Sequence, residues 1–422
     1  MWSILWGGPM NKLSKIVNKI KTGGLKDTIK WISCCLADKI NRVSLKLFRR
    51  LRIHDNLIVL ESEGDFSDNS QALYQYMTDN GYLKKYNVVW LVNNKTKFKA
   101  MRLQNTKFCS KKWGRCHVNT SYYLGICKYY IYDHNNLLYD ARRKEQLVIF
   151  LGHGCTFKAP SKDAMPCLSD EVYVTGKLCR ESVAAWCNAK VETLFDIGYP
   201  RLDYWFFPEN DAQEKFKIKY GLNQYSCVFL WMPTFRKSVN KNLSEDYFQS
   251  TTGLPILMEE EQLEQFDKYL CERNYLCIFK IHHLQAKQNS FRKPFTNIIL
   301  INDEAIYQYN LQLYQFIPLS DALVTDYSSV ANDYLLLDRP IIFTLDDYEE
   351  YKKSRGFCVD NAIDFFAGYH VYDVEELQSA MDEIGDGIDK FKNDRQKLLP
   401  MAHTYTDGHA AKRILDRLNI KL

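Results

Sequence analysis

The sequence has no apolar run near the roughly 18 residues that a membrane-spanning helix requires. Its first ten residues, "MWSILWGGPM", are apolar but too short, and no small-residue cleavage site follows a basic region. A spanning helix and a secretion signal are therefore not expected. The 13 cysteines contain no Cys-x-x-Cys, and the adjacent Cys34 and Cys35 do not suit a bridge. That excludes a disulfide framework and a zinc pattern, and points to a reducing cytosol and a core that needs no disulfide. Neither a Gly-x-x-x-x-Gly-Lys-Ser/Thr nor a Gly-x-Gly-x-x-Gly occurs. No His, Cys and Asp cluster has metal-ligand spacing, so no metal or cofactor is expected. There remains an ordinary globular composition, 46% hydrophobic and 25% charged over 422 residues, with aromatics high at 14%.

Net charge is +5, yet residues 1–52 hold twelve Lys and Arg against Asp27 and Asp38, which leaves the other 370 residues near −5. Within that basic segment, Leu25, Ile29, Ile32, Leu36, Ile40, Val43, Leu47 and Leu51 recur at steps of three and four. The spacing predicts an amphipathic helix over 25–51. Lys26, Lys30, Lys39, Arg42, Lys46, Arg49 and Arg50 lie mostly off the apolar stripe, and Trp2, Trp6 and Trp31 add interfacial aromatics. Such a helix suits the surface of an anionic membrane. The plainer reading is a helix packed on the next domain with a solvated basic face. Nucleic-acid binding is not expected, because no recognition motif accompanies the charge.

Beyond this segment short apolar strands alternate with helical stretches. "NLIVLES", "YNVVWLVN", "YYIYDH", "QLVIFLGHG", "EVYVTG" and "TLFDIGYPRLD" form a first set, with a helix at "DNSQALYQYMTDN" whose cap is read as Asp68 or Ser70. "CVFLWMPTFR", "YLCIFKIHH", "NIILIND", "ALVTD" and "PIIFTL" form a second set, with helices at 259–274 and 406–418. The pattern predicts an α/β fold of two Rossmann-like domains with parallel sheets. The expected divisions are a basic segment 1–52, a first domain 53–210 and a second domain 211–422.

Open α/β sheets bind ligands at the carboxyl ends of their strands. At one such end, "GHGCTFK" sets His153 between two glycines, a place for a proton acceptor, with Lys158 close behind. At another, "GYPRLD" offers Arg201 and Asp203, which read as a structural ion pair holding an inter-domain turn. "WMPTFR" supplies the hydroxyl of Thr234 and the guanidinium of Arg236. "FKIHH" puts Lys280 and His282 on one side of a strand by period two. "VTDYSSVANDYLL" places Asp326, Ser328 and Ser329 between a strand and a helix that begins near Val330. The serines cap that helix in the plain reading. Together with Arg236, Lys280 and His282 they read as a pyrophosphate cradle without a P-loop.

With these motifs quoted, the sequence resembles the CDP-glycerol glycerophosphotransferase family, the teichoic-acid primases and polymerases. "SDNSQALYQYM" is similar to the family's first helix and "GHGCTFK" to its His-Gly-Thr-Pro-Leu-Lys. "GYPRLD", "MPTFR" and "TDYSSVANDYLLLDRPIIF" with "RGF" at 355–357 match its later motifs. The resemblance implies a GT-B-like pair of Rossmann domains, the first facing the acceptor and the second holding the donor. It implies that an acceptor hydroxyl attacks the β-phosphorus of a CDP-alcohol, that CMP leaves and that a phosphodiester forms. By the same carry-over His153 is the base and His282 contacts the phosphate. Thr234, Arg236, Lys280, Asp326, Ser328 and Ser329 bind the donor, and Lys158, Arg201 and Asp203 stand on the acceptor side. Gly152, where the family has tryptophan, and Cys155-Thr156-Phe157 in place of Thr-Pro-Leu point to a branch that decorates capsule, lipopolysaccharide or another glycan.

The expected partners are CDP-glycerol or a related CDP-polyol such as CDP-ribitol, a glycan or lipid-linked acceptor, and the cytoplasmic face of the membrane as a peripheral site. Two other readings compete. One is a glycosyltransferase using a nucleotide sugar, with a sugar-contacting acid among Asp346, Asp347, Glu349 and Glu350. The other is a non-catalytic membrane-bound scaffold.

Overall fold

The computed structural model describes residues 12–112, 114–134, 142–160, 167–234, 251–280 and 294–422. The chain divides into two compact units. One is Met1–Leu151 with Leu168–Asp170 and Lys421–Leu422; the other is Gly152–Cys167 with Glu171–Ile420.

The first unit runs α1 (Lys12–Phe48), β1 (His54–Glu61), α2 (Asp68–Asp79), β2 (Asn87–Val92), β3 (Thr106–Ser110), α3 (Val118–Ile126), β4 (Cys127–Tyr132) and β5 (Leu147–Phe150). Its strands are parallel in the order β3-β2-β1-β4-β5. Ile58, Val59 and Leu60 are fully buried, as expected for a strand covered on both faces. Helix α2 starts where the pattern predicts, but neither Asp68 nor Ser70 caps it. Ser67 is the N-cap residue and makes no side-chain cap. The Asp133 carboxylate, just past β4, accepts the Ser70 amide at 2.9 Å instead. A free helix N–H needs an acceptor, and here a neighbouring strand supplies it.

Helix α1 breaks at Gly24, whose φ of 73° and ψ of 175° leave the helical region. From Leu25 onward it packs on α3. The Phe48 ring meets Tyr122 edge-on at 5.3 Å, and Asn41 accepts the His117 amide at 2.6 Å. Thr28, Cys34, Ala37 and Leu45 are buried. The apolar stripe is not the packed face. Leu25, Ile29, Ile32, Leu36, Ile40, Val43 and Leu47 are all exposed, from 38% at Ile40 to 67% at Leu25. Lys26, Lys30, Lys39 and Lys46 are exposed alongside them.

The second unit begins with β6 (Glu171–Val174), α4 (Lys177–Cys187), β7 (Leu194–Asp196) and α5 (Asp211–Tyr220), with β6 and β7 parallel. Next come β8 (Cys227–Met232), α6 (Glu260–Arg273), β9 (Tyr275–Lys280), β10 (Ile298–Ile301), α7 (Asp303–Tyr307) and α8 (Leu313–Phe316). After these lie β11 (Ala322–Thr325), α9 (Val330–Tyr334), β12 (Ile341–Thr344), α10 (Tyr348–Ser354), β13 (Tyr369–Val371), α11 (Val374–Gly385), α12 (Lys392–Ala402) and α13 (Ala410–Arg417). The six strands β8 to β13 form one parallel sheet ordered β10-β9-β8-β11-β12-β13. One of its faces is an apolar layer that includes Trp231, Phe266, Leu270, Phe279, Val324 and Met381. The strand order reverses between β8 and β11, and a crevice opens outside the carboxyl ends of strands at such a point. The α/β reading with two parallel sheets holds.

Candidate functional site

Met232 ends β8 and Thr325 ends β11, and the two residues are partners in register. The loops leaving these two strands therefore meet at the reversal. Thr234 donates its amide to the Asp326 carboxylate at 2.8 Å, and its hydroxyl donates to the other carboxylate oxygen. Asp326 is fully buried. Its oxygens fix Thr234, so it positions that residue instead of offering itself to an anion. Lys158 donates to the Thr234 hydroxyl at 3.1 Å, which brings a cation to the same crevice. The sequence reading puts Lys158 on the acceptor side and Thr234 with the donor; the structure brings the two side chains together.

The backbone that carries Lys158 is held by the Arg-Gly-Phe segment. Lys158 bridges antiparallel to Phe357, Ala159 donates to the Gly356 carbonyl at 2.9 Å, and Cys358 donates to Phe157 at 2.7 Å. Gly356 turns there with φ +75°. Phe357 packs edge-on against Tyr327 at 5.6 Å, and Tyr327 donates to Asp347 at 2.6 Å. Two motifs far apart in sequence thus form one wall.

His153 is half-buried, and its glycine bracket has a steric reason. At Gly152, φ +79°, a Cβ would meet the Tyr173 carbonyl at 2.7 Å and press on the Tyr199 ring. At Gly154, φ +141°, a Cβ would meet the Ser329 hydroxyl at 2.5 Å. The histidine loop therefore lies directly on the serine turn. Asn332 adds a bond from its side chain to the Cys155 carbonyl at 2.9 Å.

Helix α9 begins at Val330 as the sequence predicts, but Ser329 makes no side-chain cap. Among the described residues neither Ser328 nor Ser329 spends its hydroxyl on a hydrogen bond. The helix has only five residues before it tightens to a 3₁₀ turn, so little dipole backs the turn. Any anion bound there relies on the hydroxyls themselves. Both serines are half-buried.

Arg201 and Asp203 take different partners. Arg201, 3% exposed, pairs with the buried Asp333 at 2.8 Å and stacks on Tyr314 at 4.1 Å. Asp203 accepts the amides of Ala410 and Ala411 at 2.9 and 2.8 Å and so caps α13. Burial pushes its carboxyl up to about 6, against the lowering effect of those two amides. Lys280, at the end of β9 and nearly buried, pairs with Asp303 at 3.1 Å, so its charge is already met by an acid. Arg236 and His282 lie outside the described residues.

The sequence reading expects no disulfide, yet the sulfurs of Cys155 and Cys179 are paired, with Cα atoms 4.8 Å apart and both side chains fully buried. The fold brings the loop after β5 against α4, an approach that cysteine spacing does not reveal. Asp333, Tyr314, Asn332 and Tyr199 are the site residues that sequence reasoning missed. Asp333 had a signal, since it stands one helical turn past the serines.

The profile of the CDP-glycerol:poly(glycerophosphate) glycerophosphotransferase family matches residues 43–419. The chain belongs to this family. Among curated relatives of the family, a teichoic acid poly(glycerol phosphate) polymerase of Bacillus spizizenii is 25% identical, over 76% of this chain and 82% of its own. A teichoic acid ribitol-phosphate primase of the same organism is 24% identical, over 86% of this chain and 90% of its own. Among solved structures, the wall teichoic acid polymerase TagF superposes with a TM-score of 0.70 at 20% identity, over 96% of this chain and 98% of that one. A TagF variant soaked with CDPG gives a TM-score of 0.71 at 20% identity, over 96% of this chain and 98% of that one. These superpositions show a shared fold.

Proposed function

We propose that this chain transfers a polyol phosphate from a CDP-activated donor to a hydroxyl of a glycan or lipid-linked acceptor, releasing CMP, in cell-surface polymer synthesis. Glycerol phosphate is the leading donor group and ribitol phosphate the alternative. The observation that carries the reading is the contact of Gly154 with Ser329. It sets a histidine loop on a pair of uncommitted serine hydroxyls at the strand reversal, with Lys158 and Thr234 alongside. Family membership supports the same chemistry, and the relatives' names supply the polyols.

In this reading Ser328 and Ser329 donate to the diphosphate, and Thr234, whose amide and hydroxyl go to Asp326, seats Lys158, which balances the diphosphate charge. The acceptor oxygen forms a bond to the β-phosphorus as the bridging bond to CMP breaks. The acceptor proton passes to a ring nitrogen of His153. Arg236 and His282 stay with the donor in this proposal, and no cofactor enters it. The glycosyltransferase reading needs a free acid after β12. Asp347 accepts the Tyr327 hydroxyl and Asp346 accepts the Ile256 amide, so these two are drawn into packing; Glu349 and Glu350 are exposed, and the nucleotide-sugar arm of the assay tests them.

We also propose a peripheral seat on the cytoplasmic face of the membrane. The exposed apolar stripe of α1 and its flanking lysines support it. Among the described residues no helix is long and apolar enough to cross a membrane. Incubation with CDP-glycerol, CDP-ribitol and nucleotide sugars tests the catalytic reading: CMP release supports it, and UDP release without CMP overturns it.

A further inference from the structure

Beneath the histidine loop lies a buried group that the reaction scheme does not use. Arg201 is 3% exposed and Asp333 is fully buried. Arg201 spends one Nη2 on two acceptors, the Asp333 carboxylate at 2.8 Å and the His153 carbonyl at 3.2 Å. Tyr314 donates its hydroxyl to the same Asp333 oxygen at 2.6 Å and lays its ring against the guanidinium at 4.1 Å. Tyr199 adds a second ring at 5.3 Å. A buried guanidinium needs its charge met; Asp333 meets it, and Nη2 together with the two rings leaves the group little freedom.

Its consequence concerns distance. Asp333 belongs to α9, the helix that leaves the serine turn, and Ser329 touches Gly154. The His153 backbone is thus tied to α9 twice, through Arg201 and Asp333 and through Asn332 to Cys155. We propose that Arg201, clamped by Asp333 and Tyr314, is a positioning residue that fixes His153 relative to Ser328 and Ser329. One short helix then holds both the donor seat and the base. Arg201 touches neither substrate in this scheme. The proposal rests on the transfer reading above, and it places Arg201 behind the base and not on the acceptor.

The geometry asks for a guanidinium specifically. Lysine keeps the charge beside Asp333 but lacks the planar group that lies on the Tyr314 and Tyr199 rings and so aims Nη2 at the His153 carbonyl. A displacement of about 1 Å at a base costs roughly 100-fold in rate. The test uses the full chain as wild type, Arg201→Lys and Tyr314→Phe. It reads CMP release from CDP-glycerol together with amide hydrogen exchange of the segment 152–158. Arg201→Lys is expected to lower kcat roughly 30-fold or more, with donor KM moving less than about threefold. Exchange in 152–158 is expected to rise about tenfold while distant segments stay unchanged. Tyr314→Phe is expected to move both readouts the same way by a smaller factor, and it keeps the test decisive should Arg201→Lys fold poorly. Unchanged exchange in the loop, or a raised KM at constant kcat, overturns the positioning role. Absence of CMP release by the wild type would sink the transfer reading, while the exchange measurement would still decide whether Arg201 holds the loop.

Discussion

Single residues carry the sharpest consequences. The hydroxyls of Ser328 and Ser329 do no capping work, so replacing both with alanine should leave stability within about 0.5 kcal/mol. A hydrogen bond to a charged phosphate contributes about 1.5–3 kcal/mol, so donor KM should rise tenfold or more. Steady-state kinetics and a urea curve check both halves, and an unchanged KM would return the serines to mere turn formation. Asp203 gives a pH signature. Its carboxyl sits near 6 in the folded chain because burial outweighs the two amides of α13. The unfolded value is about 4, so the folded state holds this proton more tightly and the group adds stability below about pH 4. That contribution is lost as pH rises through about 6. Asp203→Asn removes the slope, so the variant should gain about 2 kcal/mol on the wild type between pH 4 and pH 7. Paired urea midpoints read it, and a difference independent of pH would contradict it.

At the scale of elements, α1 sets its apolar stripe outward and its small buried side on α3. A helix with that face exposed and lysines beside it should bind vesicles containing phosphatidylglycerol and ignore neutral ones, since each Lys near an anionic surface adds about 1 kcal/mol. Replacing Leu25, Leu36 and Val43 with glutamate should abolish co-sedimentation while α3 packing survives. Equal sedimentation of wild type and variant would dispose of the membrane seat. The stripe itself was legible, because its period of three and four is a local property. Which face packs was not, because the partner α3 is set by tertiary structure. The strands after residue 226 were legible for the same local reason, as short apolar runs. Edge strands β3 and β13 were not, since "TKFCS" has only Phe108 and Cys109 as an apolar run and "YHV" is three residues long. The cap of α2 was misread because its acceptor, Asp133, arrives from another strand.

Across the whole molecule, motifs could be read but their pairings could not. "GHGCTFK", "MPTFR", "TDYSS" and "RGF" were each visible as strand ends or turns. That Lys158 reaches Thr234, that Phe357 bridges Lys158, and that Arg201 pairs with Asp333 depends on tertiary packing, which brings together segments far apart in sequence. The Cys155–Cys179 pair belongs to the same class of fact. The central claim is that this assembly of motifs moves a polyol phosphate from a CDP donor. The most direct measurement tracks CMP release from CDP-glycerol and CDP-ribitol, beside UDP release from nucleotide sugars, with wild type and His153→Ala. The expected result is CMP from a CDP-polyol and a loss of about 100-fold or more in the variant. UDP release without CMP, or full CMP release by His153→Ala, would contradict it.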